Sequence, residues 1–257
     1  MVSWRSGIGR GQKMLRKLLF VWGALALALV PVAAEAAQVT PMIVDIAPLG
    51  RGAVARIELS NPGTAAFPLE VQAFRGEITE SGELQLTPAD EDFLIFPAQT
   101  IVQPGGQQVF RLQYIGDPEV ATSRVYYMQI RQIPVQVAPG QNQVQLVVNF
   151  NVLVNVIPDG ATPRPTIASA HPATRGETHG VEVRMTNTGT RYFLASSMTW
   201  EITGRTEAGE QVTIRRTPPE LTREIGVGVV APDHARVFFI STDTPLVEGS
   251  VQVRLTQ

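Results

Sequence analysis

The sequence contains no cysteine, and only two of its 257 residues are lysines, Lys13 and Lys17. The absence of cysteine excludes disulfide frameworks, thiolate zinc sites and cysteine nucleophiles. Charged residues are sparse at 17%, against 44% hydrophobic residues, which is typical of globular domains and not of disordered tails. The slight acidic excess argues against the basic surface that nucleic-acid binding requires, so we expect no nucleic-acid partner.

Motifs for enzymatic chemistry are missing as well. The sequence has no Gly-x-Ser-x-Gly nucleophile elbow, and no predicted helix follows Gly226-Val227-Gly228, as a phosphate-binding loop would need. The three histidines, His171, His179 and His234, lack the spacing of metal ligands and are expected at the surface. We therefore expect no catalytic residue, no metal and no cofactor; a secreted hydrolase of unrecognised type is an alternative that no catalytic constellation supports.

The first 36 residues have the pattern of a secretory signal peptide. An apolar run over residues 18–32 is followed by the small-residue site Ala34-Glu35-Ala36, and five basic residues precede it: Arg5, Arg10, Lys13, Arg16 and Lys17. A retained membrane anchor is the alternative, because the run approaches the length of a membrane span. Cleavage predicts an exported mature chain from Ala37 onward that is not inserted in the membrane.

The rest of the chain reads as two similar halves. The segments 54–64 and 181–190 each alternate apolar and polar residues and end in Ser/Thr-Asn-x-Gly-Thr, and Pro104 and Pro232 each precede a Val-Phe strand at the same spacing. About seven short β-rich runs per half, separated by turn signals, predict two immunoglobulin-like β-sandwiches, with a barrel as the alternative. The predicted boundaries are 1–36 for the signal peptide, 37–158 for the first domain, 159–165 for a proline-rich linker and 166–257 for the second domain.

One segment of the first half, residues 143–157, alternates over an unusual length. Its even positions from Val144 to Val156 are all apolar, while its odd positions are mainly Gln and Asn. Period two predicts a single long strand, whose apolar face exceeds what one small sandwich covers. Asn and Gln provide no charge to keep a strand edge unpaired, so we expect this strand to pair with a partner; a long core strand is the plainer interpretation.

Two further stretches carry a family resemblance. Residues 93–112 contain a Pro, then Pro-Gly, then Arg, and residues 123–134 form an aromatic strand that ends in Ile-Pro; Val39-Thr40-Pro41 and Leu59-Ser60-Asn61 fit as well. In this order and spacing the sequence resembles the periplasmic pilus-assembly chaperones of the chaperone–usher pathway, most closely a divergent, archaic-like branch. The resemblance implies an all-β protein with two immunoglobulin-like domains arranged as a boomerang.

The resemblance also implies a function and partners. Such chaperones lend a β-strand to incomplete pilus subunits and deliver them to an outer-membrane usher, and the free protein is expected as a monomer or a weak self-capping dimer. On this mapping the donor residues are Val144, Leu146, Val148 and Phe150. The rival hypothesis is an exported immunoglobulin-like binding or structural module, in which the long strand serves self-assembly.

The resemblance fails at one place. Many members hold the subunit's terminal carboxylate with an Arg and a Lys, but Ile43 and Leu153 align near those positions here. Arginine suits a carboxylate because its planar guanidinium makes two parallel hydrogen bonds. Arg124, next to two tyrosines at a strand start, is the preferred substitute anchor, with Arg111 and Arg131 as the other candidates.

Overall fold

A computed structural model describes residues 37–133 and 147–256 of the chain. The first ten strands form two facing sheets, with strand orders β1-β3-β8-β6 and β2-β10-β9-β4-β5, and β7 also pairs with β4. Their bounds are β1 (Gln38–Thr40), β2 (Ile43–Ile46), β3 (Val54–Ser60), β4 (Phe67–Ile78), β5 (Leu84–Pro88), β6 (Phe93–Phe96), β7 (Gln99–Val102), β8 (Gln107–Tyr114), β9 (Arg124–Gln132) and β10 (Asn149–Val156).

The core of this first domain follows from the alternation of its strands. Ile57, Leu59, Phe110, Leu112 and Met128 are fully buried between the two sheets, while the residues between them face outward. Two β-rich runs of the sequence, residues 39–46 and 92–102, each form two strands divided by a proline, because proline provides no N–H for the ladder. Pro41 separates β1 from β2, and Pro97 separates β6 from β7.

The second domain has a three-stranded sheet β11-β12-β17, a three-stranded sheet β15-β14-β18 and a short pair β13-β16. Trp200 is the core aromatic of this domain: it is fully buried and packs edge-on against Phe238. The elements are β11 (Pro165–Arg175), β12 (Thr178–Asn187), β13 (Phe193–Leu194), β14 (Thr199–Arg205), β15 (Gln211–Arg216), α1 (Pro218–Ile225), β16 (Val229–Val230), β17 (Ala235–Ser241) and β18 (Gln252–Thr256).

Helix α1 was not expected from the sequence. Its start carries a local signal nonetheless: Pro218 occupies the first helical position, and the Thr217 N–H donates to Glu220 Oε2 at 2.8 Å. The helix ends at Gly226, which has φ of 68°. Within the described part of the chain, no helix has the length and apolar character needed to cross a membrane.

The two domains touch through an apolar cluster and a polar network. Val125 and Leu153 of the first domain are buried against Tyr192 and Val229 of the second. Beside them, Asp45 accepts hydrogen bonds from Tyr192 Oη at 2.6 Å, Arg191 Nη2 at 2.7 Å and Asn155 Nδ2 at 3.0 Å. These contacts bury the outer face of β10 at its carboxyl end.

Candidate functional site

Strand β10 presents two faces with different surroundings. On the even face, Val152, Val154 and Val156 are fully buried in the first domain's own core, and Phe150 is partly buried against the same core. On the odd face, Asn149 and Asn151 are exposed, whereas Leu153 and Asn155 are buried. The strand therefore changes along its length from a core strand at residues 152–156 to a more open segment at residues 149–151.

Of the four predicted donor residues, two lie within the described part of the chain. Val148 and Phe150 are both partly buried, and both keep some exposed surface. Val144 and Leu146 lie outside the described residues. Their roles in strand donation stay predictions.

The two edges of β10 are paired over different lengths. Strand β9 pairs antiparallel with β10 along its whole length, from Asn149 to Val156. On the other edge β2 pairs in parallel with Leu153 to Val156 only. Among the described residues, the edge of β10 from Asn149 to Val152 has no strand beside it. An unpaired edge is a template for strand addition.

The backbone hydrogen bonds show which residues point to this open edge. The Leu153 N–H donates to Met42 O at 3.0 Å and the Ile157 N–H to Ile46 O at 2.8 Å, both on the β2 side. Successive residues of a strand direct their main-chain groups to opposite edges. The N–H and C=O groups of Asn149 and Asn151 therefore point to the same side as those of Leu153, where β2 no longer reaches.

The described strand is shorter than the sequence pattern predicted. The alternation predicted a strand throughout residues 143–157, but Val147 and Val148 are not in a strand and β10 begins at Asn149. At Val148 the pairing with β9 is only half formed. The Gln132 N–H donates to Val148 O at 3.1 Å, but the Val148 N–H donates to the side-chain oxygen of Gln132, at 3.3 Å, and not to its main-chain oxygen.

The two residues that align near the family's basic anchor pair are direct neighbours. Leu153 and Ile43 lie opposite each other in the parallel register of β10 and β2. Leu153 is buried and Ile43 is exposed, and both line a cavity of about 280 Å³ between the domains. An aliphatic pair therefore stands where the resemblance implied an Arg and a Lys. The same cavity is lined by Arg236, a residue that the sequence analysis did not single out.

The three arginines predicted as substitute anchors are spread over the first domain. Arg124 Nη2 donates to Asp117 Oδ2 at 2.9 Å, and Arg124 lines a second cavity of about 410 Å³ between the domains. Arg131 is paired with Glu70, and Arg111 is exposed on β8 with only a long contact to Gln113. The structure does not bring the three together, and the anchor role of each stays a prediction.

Residues 49–162 match the model of the PapD N-terminal domain, described as the pili and flagellar-assembly chaperone family. This match covers less than half of the chain, and it confirms the resemblance inferred from residues 93–112 and 123–134. No match was found among curated proteins.

Solved structures extend the likeness over most of the chain. The YadV chaperone is 12% identical, with a TM-score of 0.53, over 86% of this chain and 92% of that one. The class 5 fimbriae chaperone CfaA is 10% identical, with a TM-score of 0.50, over 86% and 99%. A chain from a structure described as a chaperone–tip adhesin complex of CFA/I fimbriae biogenesis is 9% identical, with a TM-score of 0.50, over the same shares. Such low identity establishes the fold alone, so the prediction of two immunoglobulin-like sandwiches is confirmed.

Proposed function

We propose that this protein is a periplasmic chaperone that binds pilus or fimbrial subunits by donating a β-strand and passes them to an outer-membrane usher. The proposal rests on one observation above all, the open edge of β10 between Asn149 and Val152. The match of residues 49–162 to a chaperone family supports it, and so does the complex with a tip adhesin in one of the similar structures.

Strand donation needs only the groups that this edge supplies. A subunit strand placed beside residues 149–152 accepts and donates main-chain hydrogen bonds at Asn149 and Asn151, while alternate side chains enter the subunit's groove. Val148 and Phe150 are the described members of that apolar series, and Val144 and Leu146 extend it in sequence. Each apolar side chain buried in the groove contributes about 1.5–3 kcal/mol before the costs of ordering and association.

No covalent chemistry enters this function. Binding and release of the subunit are exchanges of one strand for another, so we propose that the protein works without catalysis or a cofactor. We place the carboxylate anchor of the first domain at Arg124, which lines the cavity of about 410 Å³ between the domains. Export through residues 1–36 would put the protein in the periplasm.

The test is capture of a subunit by variants of the two described donor residues. The protein is co-expressed in the periplasm with an exported pilus subunit, and the co-purified subunit is measured. Val148→Glu and Phe150→Glu are expected to abolish capture, because a carboxylate in an apolar groove is strongly unfavourable. Asn149→Glu is the matched control, since it adds the same charge on the exposed opposite face and should capture normally.

Two outcomes would contradict the proposal. Unchanged co-purification with the folded Val148→Glu and Phe150→Glu variants would exclude this strand as the donor. Self-association of the purified protein into long polymers would favour the rival hypothesis of an exported structural module, because a chaperone should remain a monomer or a weak dimer.

A further inference from the structure

Strand β2 is a small part of the fold, yet it decides where the open edge of β10 stops. It has four residues, Ile43–Ile46, and β10 is its one partner strand among the described residues. Val44 and Ile46 pack on the first domain's core, whereas Ile43 and Asp45 are exposed. A strand this short, paired in parallel on one side, is weakly held by its main-chain hydrogen bonds. Its side-chain contacts therefore decide how firmly it covers the edge.

Asp45 is the side chain that connects β2 to the second domain. Its carboxylate accepts hydrogen bonds from Tyr192 Oη at 2.6 Å and from Arg191 Nη2 at 2.7 Å. Within the first domain it lies directly opposite Asn155 of β10 and accepts from Asn155 Nδ2 at 3.0 Å. Hydrogen bonds to an ionised carboxylate are stronger than those between neutral groups. Asp45 thus joins β2, β10 and the second domain at one point.

Asn155 depends on this carboxylate. It is fully buried, and its contact with Asp45 is the one hydrogen bond that its side chain makes among the described residues. A buried amide without hydrogen bonds is unfavourable. Loss of the Asp45 carboxylate would leave such an amide on β10, so this contact holds β2 to β10 more firmly than an exposed ion pair would.

Arg191 and Tyr192 are held against the first domain independently of Asp45. The Ser123 N–H, directly before β9, donates to Thr190 O at 2.8 Å, and the Tyr192 N–H donates to Ser123 Oγ at 2.7 Å. Ser123 and Tyr192 are both buried, and Tyr192 belongs to the same apolar cluster as Leu153. These contacts fix the segment 190–192 in place, so that it presents two preset donors to Asp45.

The position of β2 fixes the length of the open edge. With β2 in place, the edge is open at residues 149–152 and covered at residues 153–156. The N–H groups of Leu153 and Ile157 donate to main-chain oxygens at the two ends of β2. Without β2 these groups would be free, and the open edge would grow from four residues to eight. A longer edge accepts a longer strand and specifies its register less strictly.

We propose that Asp45 is a positioning residue through which Arg191 and Tyr192 hold β2 on β10, and that this clamp fixes where an added strand ends. The use of the edge by a subunit strand rests on the proposed function, whereas the hold of the second domain on β2 does not. The partner that this geometry fits is a strand that pairs with β10 as far as Val152 and stops there.

Hydrogen exchange of single backbone amides tests the clamp without any subunit. The two edges of β10 provide the probes, because the Leu153 and Ile157 N–H groups donate toward β2 while those of Val152 and Val154 face β9. Exchange is followed by NMR on the protein purified after export. In Asp45→Ala we expect exchange at Leu153 and Ile157 to be at least about tenfold faster, with less than about a twofold change at Val152 and Val154.

Two further variants assign the effect to the second domain. Arg191→Gln combined with Tyr192→Phe leaves Asp45 in place but removes both of its donors from that domain, and should speed exchange at Leu153 about threefold or more. Arg184→Gln is the matched control. It removes another arginine–carboxylate pair between the domains, with Glu80 on the turn between β4 and β5, and should leave exchange at Leu153 unchanged.

Three results would overturn the clamp. The first is unchanged exchange at Leu153 and Ile157 in Asp45→Ala. The second is equal acceleration at Val152 and Val154, because that reports a loss of global stability. The third is an equal effect of Arg184→Gln, because the orientation of the domains would then be the cause. If Asp45→Ala fails to fold, the double variant is judged by the same three criteria.

The same amides separate the clamp from the proposed function. Binding of a pilus subunit to the wild-type protein should protect the Asn151 amide, and in Asp45→Ala the protection gained on binding should extend to Leu153. Faster exchange at Leu153 in the free variant, without any gain at Asn151 on addition of the subunit, would contradict the proposed function and leave the clamp in place. A gain at Asn151 that never extends to Leu153 in the variant would overturn the claim that the clamp sets the end of the added strand.

Discussion

Asn61 and Asn187 make the same set of contacts in the two domains. Asn61 Nδ2 donates to Ala65 O at 2.9 Å, and Asn187 Nδ2 donates to Arg191 O at 2.8 Å, four residues on in each case. Both side chains also reach the end of a later strand, at Val102 O and Val230 O respectively. Both asparagine side chains are almost fully buried. In each domain, the same type of hydrogen-bonded asparagine therefore attaches a turn to the β-sandwich.

The hydrogen bonds of Asn61 and Asn187 predict a large loss of stability when either residue is replaced by alanine. Asn187→Ala leaves the Gly189 and Arg164 N–H groups without their Oδ1 acceptor, and Asn61→Ala does the same to the Gly63 N–H. Unsatisfied buried polar groups cost about 1–3 kcal/mol each. We expect each variant to lower the free energy of unfolding by at least about 2 kcal/mol in urea titrations. Asn149→Ala, at an exposed position, is the control; an equal loss there would contradict the explanation.

Asn61 and Asn187 show which structural features the local sequence predicts well. The Asn-x-Gly turns at residues 61 and 187 were readable as a repeat because the side chain bonds to backbone a few residues away. The alternation of β10 was readable for a similar reason, since the period belongs to the strand itself. Even helix α1 has a local signal, Thr217-Pro218-Pro219-Glu220, although its eight residues are too few to show a sustained helical period.

What the sequence could not reveal depends on packing between distant segments. Leu153 and Asn155 lie on the odd face of β10, where the sequence is mainly Gln and Asn. Both are nevertheless buried, because Tyr192 and Asp45 contact this face. The start of the open edge depends on where β2 stops pairing, and β2 is more than a hundred residues away in sequence.

Tyr192, which lies where the two domains touch, predicts a loss of stability at alkaline pH. Burial, together with the hydrogen bond to Asp45, raises the pKa of Tyr192 above its ordinary value of 10.0. A raised native pKa means that this contribution to stability is complete below about pH 10 and is lost as the pH rises further, because the unfolded chain then releases the proton first. Tyr192→Phe should therefore make the fall in unfolding free energy between about pH 9 and 11 shallower. The check is a series of urea titrations across that range, and an unchanged slope would contradict the buried role of this hydroxyl.

The open edge predicts an unusual tolerance of proline. The Asn151 N–H points away from β9, so Asn151→Pro removes no hydrogen bond from the β9–β10 ladder, whereas an added strand loses a donor. We expect this variant to fold and to lose most subunit capture in the co-purification assay. Asn151→Ala removes the same side chain and its contact with Gln129 but keeps the N–H, so it should capture normally. Equal capture by the two variants would show that the subunit does not pair with this edge.

The ion pair of Arg124 limits what its side chain can contribute to subunit binding. Arg124 Nη2 donates to Asp117 Oδ2 at 2.9 Å, so the carboxylate of a subunit must compete with an existing partner. An exposed ion pair contributes little free energy, and exchanging one carboxylate for another gains little more. We therefore expect Arg124→Ala to weaken subunit binding about threefold, measured as the dissociation constant of the purified complex. An unchanged dissociation constant would exclude Arg124 as the anchor, because a residue that grips the subunit's carboxylate cannot be removed without loss of affinity.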